Sequence, residues 1–163
     1  MSVDNDIVGL QENEYGEKYR EHVLELYKLY VEMADKISER RQLANSFFLT
    51  LNSAIVALVG YVNLSQGTTS TAPSFFWLVA ISGMVLSFLW YRLVRSYKDM
   101  NTGKFKVIHA IERQLPLRLF DAEWTALGKG EDPKLYLKFT NIEMYVPWVF
   151  FVLHLIVLVR SFL

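Results

Sequence analysis

Three apolar windows, each close to the length needed to cross a membrane, constrain this chain more than any other feature. They run from Asn45 to Leu64, from Phe75 to Val94 and from Tyr145 to Phe162. About 20 consecutive apolar residues in a helix cross the roughly 30 Å hydrocarbon core of a bilayer. The second window also carries aromatic residues at both ends, where amphipathic rings prefer the headgroup region. We therefore predict an all-α integral membrane protein with three transmembrane helices.

The charged residues lie outside these windows, apart from Arg92 and Arg160 near the ends of two of them. Of the 17 Lys and Arg residues, six precede the first window and ten lie from Arg92 to Lys138. Because basic residues stay on the cytoplasmic side, we predict a multi-pass protein of the bacterial inner membrane with its N terminus cytoplasmic and its C terminus external. No signal-peptide pattern precedes the first window, which is expected to act as its own insertion signal. The predicted order is a disordered tail (1–16), a cytoplasmic helix (17–44), the first span (45–64), an external loop (65–74), the second span (75–94), a cytoplasmic helical segment (95–144) and the third span (145–163).

The cytoplasmic segments also have helical patterns. No proline or glycine interrupts the chain from Glu17 to Val59, which predicts one long helix that enters the membrane. Its apolar residues recur at the alternating spacing of a coiled coil. The central segment has an apolar helical face as well, and the two segments have opposite net charges. We therefore predict that the two segments dock together. Asp132-Pro133 is a favourable helix start. The apolar residues are Val23, Leu26, Tyr30, Met33 and Ile37 in the first segment, and Phe105, Ile108, Ile111 and Leu115 in the second.

Chemistry-bearing motifs are sparse. The chain has no cysteine, its net charge is zero, and its three histidines lie in separate segments. This composition predicts no enzyme, no metal site, no cofactor and no nucleic-acid surface. His154 lies near the middle of the third span, where an ionisable group is either functional or a neutral side chain bonded across a helix interface. An enzyme would need a second polar group, such as Asn52, within bonding reach of it.

The first span is polar along two neighbouring rows. Such rows avoid lipid, either because small residues and amides pack helices together or because they line a water-filled pore in a ring of helices. A second small-residue face lies in the second span, at Ala80, Gly83 and Ser87. The candidate residues for pore lining or helix packing are Asn45 and Asn52 in one row, Ser46, Ser53, Ala57 and Gly60 in the other, and His154.

Two sets of surface residues suggest ligands. Basic side chains where the helices leave the membrane are candidates for binding anionic lipid headgroups, although topology alone explains them. Trp124 and Glu123, with two upstream arginines, could bind a nucleotide signal, or they could fasten a short helix to its neighbour. The headgroup candidates are Arg40, Arg41, Arg92, Arg95 and Lys98; the upstream arginines are Arg113 and Arg118.

The run from Tyr27 to Asn52 resembles an uncharacterised family of bacterial small integral membrane proteins. The resemblance continues through Phe105–Glu112, Leu115-Pro116 and Glu123-Trp124, and covers the chain from about Glu21 onward. The layout is also similar to the SLATT class of pore-forming effectors in bacterial conflict and antiphage systems. A third span departs from that class.

Together these features predict a homo-oligomer in contact with membrane lipid. The first hypothesis for its function is an ion or solute channel, including a role as a bacterial defence effector, because one side of one helix could serve both assembly and pore lining. The alternative is a non-conducting scaffold or sensor that recruits a cytoplasmic protein partner.

Overall fold

The protein is helical throughout the part of the chain that the computed structural model describes, which is residues 7, 9–65, 73–136 and 139–162. No β-strand occurs among these residues, which confirms the predicted all-α class. The predicted external loop falls mostly on residues 66–72, outside the described residues. The helices are α1 (Glu12–Tyr15), α2 (Tyr19–Ser65), α3 (Pro73–Glu112), α4 (Leu119–Ala126) and α5 (Phe139–Arg160), with a 3₁₀ turn at Gly128–Gly130.

Three helices are long and apolar enough to cross a membrane, as predicted. They are Tyr19–Ser65, Ser74–Glu112 and Ile142–Arg160. No Lys, Arg, Asp or Glu occurs from residue 42 to 91 or from residue 144 to 159. Since an ionised side chain in hydrocarbon is costly, these charge-free stretches are the parts of the helices suited to the bilayer.

The chain divides into two compact units, and α2 and α3 each contribute to both. The charged unit comprises Met1–Glu39 and Tyr97–Lys138, and the spanning unit comprises Arg40–Ser96 and Phe139–Leu163. The charged residues of the spanning unit are Arg40, Arg41, Arg92, Arg95, Glu143 and Arg160, and all others belong to the charged unit.

In the charged unit, the early part of α2 packs against the later part of α3. The ammonium of Lys104 lies 4.1 Å from the centroid of the Tyr30 ring, a cation–π contact. Ile37 and Ile108, one from each apolar face predicted to dock, are both buried. Leu26 and Met33 of the predicted stripe stay exposed.

Glu112 forms a buried corner where α3 ends. Its carboxylate accepts hydrogen bonds from the backbone N–H groups of Phe120 at 3.0 Å and Asp121 at 3.1 Å. These belong to the first turn of α4, where N–H groups lack helical partners and the helix dipole favours an anion. The Tyr27 hydroxyl also donates to Glu112, at 3.1 Å. Glu112 therefore caps α4 and fastens it to α2.

The environment of this corner changes the acidity of Tyr27. Burial, followed by the hydrogen bond to the Glu112 carboxylate and the charge of that carboxylate, raises the pKa of Tyr27 to about 12. All three effects favour the neutral phenol over the phenolate. Tyr27 is therefore a hydrogen-bond donor at every physiological pH.

Asp132 starts a turn rather than the predicted long helix. Its side chain accepts the N–H of Lys134 at 2.9 Å, and its carbonyl accepts the N–H groups of Leu135 and Tyr136 at 3.1 Å each. The described part of α5 begins at Phe139, after this turn. The prediction of a helix from Asp132 was therefore wrong, because the aspartate satisfies the N–H groups of a single turn.

Candidate functional site in the spanning helices

The asparagine row of α2 faces the other two helices of the spanning unit. Asn45 is half-buried, while Asn52 and Val59 are buried. These residues are seven apart, so they lie along one side of the helix. In an apolar interior each asparagine amide needs hydrogen-bond partners, and α3 and α5 supply them.

Asn52 is the centre of a buried polar cluster that joins all three helices, defined by Asn52, Ser87 and His154. Its amide nitrogen donates to the carbonyl of Phe48 at 2.9 Å. Its amide oxygen lies 3.0 Å from the Ser87 hydroxyl of α3 and 3.1 Å from Nε2 of His154 in α5. Asn52 and His154 are at most 1% exposed. Because that oxygen has two lone pairs, it can accept from both neighbours at once.

The cluster defines which histidine nitrogen carries the proton. An Nε2–H donates to Asn52, which leaves Nδ1 as a buried acceptor with no hydrogen-bond partner among the described residues. The Ser87 proton serves either Asn52 or its own helix, since the Gly83 carbonyl lies 2.8 Å from the hydroxyl. The neutral imidazole therefore acts as a bridge between helices, which is the interfacial role predicted as one alternative.

Gly83 allows this histidine to approach α3. A Cβ at position 83 would lie less than 3.0 Å from three atoms of the His154 ring. Real side chains do not tolerate that separation, so the ring occupies space that only glycine leaves open. The small-residue face of the second span thus holds the imidazole.

A second polar contact joins α2 to α3 one heptad earlier. The indole N–H of Trp90 donates to the side-chain oxygen of Asn45 at 2.8 Å. The Phe48 ring stacks on the Trp90 ring with centroids 6.0 Å apart and planes at 9°. Phe150 of α5 contacts the same indole at 6.1 Å. Asn45 and Asn52 are thus both used for packing within one copy of the chain.

The other predicted row of α2 lies one residue further along, about 100° around the helix from the asparagine row. Ser46, Ser53, Ala57 and Gly60 are exposed in the isolated chain. Thr50, which the sequence reasoning did not include, is exposed and completes the row at alternating spacings of four and three residues. We call Ser46, Thr50, Ser53, Ala57 and Gly60 the exposed row.

The basic residues predicted to bind headgroups have different environments. Arg41 lies 3.5 Å from the Glu143 carboxylate of α5, with both side chains about one fifth exposed. Arg40, Arg92 and Arg95 are exposed and Lys98 is half-buried. Arg41 therefore has a structural role, while the three exposed arginines remain the stronger candidates for lipid headgroups.

The predicted nucleotide patch contains a packed tryptophan. Trp124 is half-buried, and its ring meets Tyr136 edge to face with centroids 6.3 Å apart. This contact fits the interpretation in which Trp124 fastens a short helix to its neighbour.

Sequence reasoning missed Glu112, Trp90 and the role of Gly83. The signal for Glu112 was weak, since a glutamate at the end of an amphipathic helix normally faces water. The partners of Asn45 and His154 lie 45 and 71 positions away along the chain, at Trp90 and Gly83. Local patterns carry no information on such pairings.

Comparison with known proteins identifies a family. The chain matches no curated protein and no solved structure. Residues 24–163 match the octameric membrane protein family (8xMP). This match includes all three spanning helices and most of the charged unit, and it agrees with the predicted oligomeric membrane protein. With three helices able to span a bilayer and a family match over most of its length, the chain belongs to the octameric membrane protein family.

Proposed function

We propose that the chain is a subunit of a homo-octameric channel for ions or small solutes, with the exposed row of α2 facing a central lumen. The observation that carries this proposal is the division of the first span into two polar sides. Asn45 and Asn52 are bonded inside the protomer, whereas Ser46, Thr50 and Ser53 point outward. A single hydroxyl in a membrane helix can bond its own backbone carbonyl, but a row of them along one side favours a wet or polar neighbour over lipid.

An octameric ring supplies such an environment by geometry. Neighbouring helices pack at about 8–10 Å, so eight of them in a closed ring lie about 12 Å from the axis. Subtracting the helix radius of about 5–6 Å leaves a lumen of roughly 6 Å radius. Serine, threonine and alanine side chains are too short to fill that lumen, so water would enter it where hydroxyls line it.

The exposed faces of the other two helices suit lipid better. On α3 the exposed side chains include Leu78, Val85 and Phe88, and on α5 they include Val152 and Ile156. Branched apolar and aromatic residues are favourable against hydrocarbon. We therefore assign α2 to the lumen and α3 and α5 to the periphery.

The proposal includes location and biological role. We propose a bacterial inner membrane protein with a cytoplasmic N terminus and an external C terminus, because the basic residues cluster before the first span and after the second. The resemblance to the SLATT layout favours a defence effector among channel roles. Asn52 lies within bonding reach of His154, at 3.1 Å, as a membrane enzyme would require. Both side chains are at most 1% exposed, and for that reason we do not propose catalysis.

Flux through purified oligomers in liposomes tests the channel directly. Replacing Ser53 with leucine would place a bulky apolar side chain in the lumen and is expected to reduce flux. Ser82→Leu is the matched control, since Ser82 is an exposed serine of α3 on the proposed lipid side. Confirmed octamers that show no flux, or equal flux in the two variants, would refute the assignment. If octamers form and bind a stoichiometric protein partner but conduct no flux, the scaffold alternative is favoured.

A further inference from the structure

The charged unit has an apolar face on α2 that the described residues of the same unit leave exposed. Leu26, Leu29 and Met33 are 61%, 53% and 43% exposed. Their spacings of three and four residues place them on one side of the helix. Charged residues surround this face in the sequence, so the face is not suited to contact lipid. Leucines exposed to water carry a hydrophobic cost, so contact with another protein surface would be favourable.

The neighbouring side of the same helix is already occupied. Ala34 and Ile37 are buried, and Tyr27 bonds to Glu112. The contacts within one copy therefore use one side of α2 and leave the side of Leu26, Leu29 and Met33 for another molecule.

A second apolar patch lies at the start of α4. Leu117 and Leu119 are 67% and 62% exposed on either side of Arg118. The next residue, Phe120, turns inward and meets the Phe105 ring at 5.7 Å. Because Glu112 holds the N–H groups of this turn, the two leucines are fixed in an outward position before any partner binds.

We propose that the Leu26–Leu29–Met33 face of one copy docks onto the Leu117–Leu119 patch of the next copy, so that the charged unit helps to assemble the ring. A cyclic oligomer joins two different patches on each subunit, head to tail. The family is octameric, and this unit provides two such patches. The occupant of each patch is thus a second copy of this chain.

Charge complementarity supports the pairing. Glu25, four residues before Leu29, is exposed beside the first patch, and Arg118 is exposed within the second. Opposite charges at the rim of an interface favour one register over others.

Cysteine cross-linking tests the proposal without background, because the chain has no cysteine of its own. The double variant Leu29→Cys with Leu117→Cys is expected to form a ladder of covalent multimers on oxidation in membranes. Each single variant is expected to stay monomeric on a denaturing gel, and co-expression of the two singles should give covalent dimers. Leu29→Cys with Leu135→Cys is the control, since Leu135 is similarly exposed in the same unit.

Three results would overturn the proposal. Dimers from Leu29→Cys alone would show a two-fold contact, an equally strong ladder from the control would show random collision, and no ladder from intact oligomers would show that the patches do not meet. As a second readout, Glu25→Arg and Arg118→Glu should each weaken the oligomer, and combining them should restore it. These readouts are independent of flux, so a failed channel proposal would leave them unchanged.

Discussion

Replacing Gly83 with alanine tests whether the close contact between α3 and α5 stabilises the spanning unit. The added methyl group would lie less than 3.0 Å from the His154 ring, so either the ring or the helix must move. A displaced ring would also lengthen its 3.1 Å contact with Asn52. The perturbation is thus small in volume and directed at one buried interface.

The expected magnitude combines three effects. Overpacking a well-packed interior costs about 1–3 kcal/mol, and an interhelical hydrogen bond in a membrane protein contributes about 0.6 kcal/mol. Alanine is better than glycine in a helix by about 1 kcal/mol, which offsets part of the loss. The net result is a destabilisation of about 1–2 kcal/mol. For a chain of 163 residues this lowers Tm by about 2–8 °C.

Thermal unfolding of the purified protein in detergent, followed by tryptophan fluorescence, measures this change. Gly103→Ala is the matched control, because Gly103 lies in the same helix and a Cβ there would meet nothing within 4 Å. That variant is expected to keep or raise Tm. In a His154→Ala background, Gly83→Ala should cost little, since the obstructing ring is gone. Equal Tm values for the Gly83 and Gly103 variants would refute the steric argument.

Three further predictions concern the other buried contacts. Glu112→Ala should speed hydrogen exchange at the amides of Phe120 and Asp121, which lose their acceptor, and unchanged exchange there would contradict the capping role. Tyr27, whose pKa lies at about 12 against an ordinary value of 10.0, should stabilise the fold fully below pH 10 and lose that contribution as pH rises through about 12. The difference in phenolate absorbance between the protein and its Tyr27→Phe variant measures the titration of Tyr27. Titration of this tyrosine at the ordinary value would contradict the prediction. Asn52→Leu removes the acceptor that joins three helices, which should lower the free energy of unfolding by about 0.6–1.7 kcal/mol per lost bond and therefore lower Tm. An unchanged Tm would show that the cluster is not stabilising.

Much of the architecture could be predicted from local patterns. The three spans follow from charge-free apolar stretches of membrane length, and the continuity of α2 follows from the lack of proline and glycine between Glu17 and Val59. The break after α4 follows from Gly128 and Gly130, which both adopt positive φ. The helix predicted to begin at Asp132 was the exception, because a capping residue predicts a first turn but not how far the helix extends.

The sequence by itself determined that the first span has two polar rows and that His154 lies at membrane depth, since both follow from helical spacing and hydropathy. Only the tertiary structure decided which row turns inward. The rows of Asn52 and Ser53 are one residue apart and similarly polar, so local pattern cannot separate them. The choice depends on where Ser87 and His154 arrive from other helices, because a buried amide goes where its hydrogen bonds can be made.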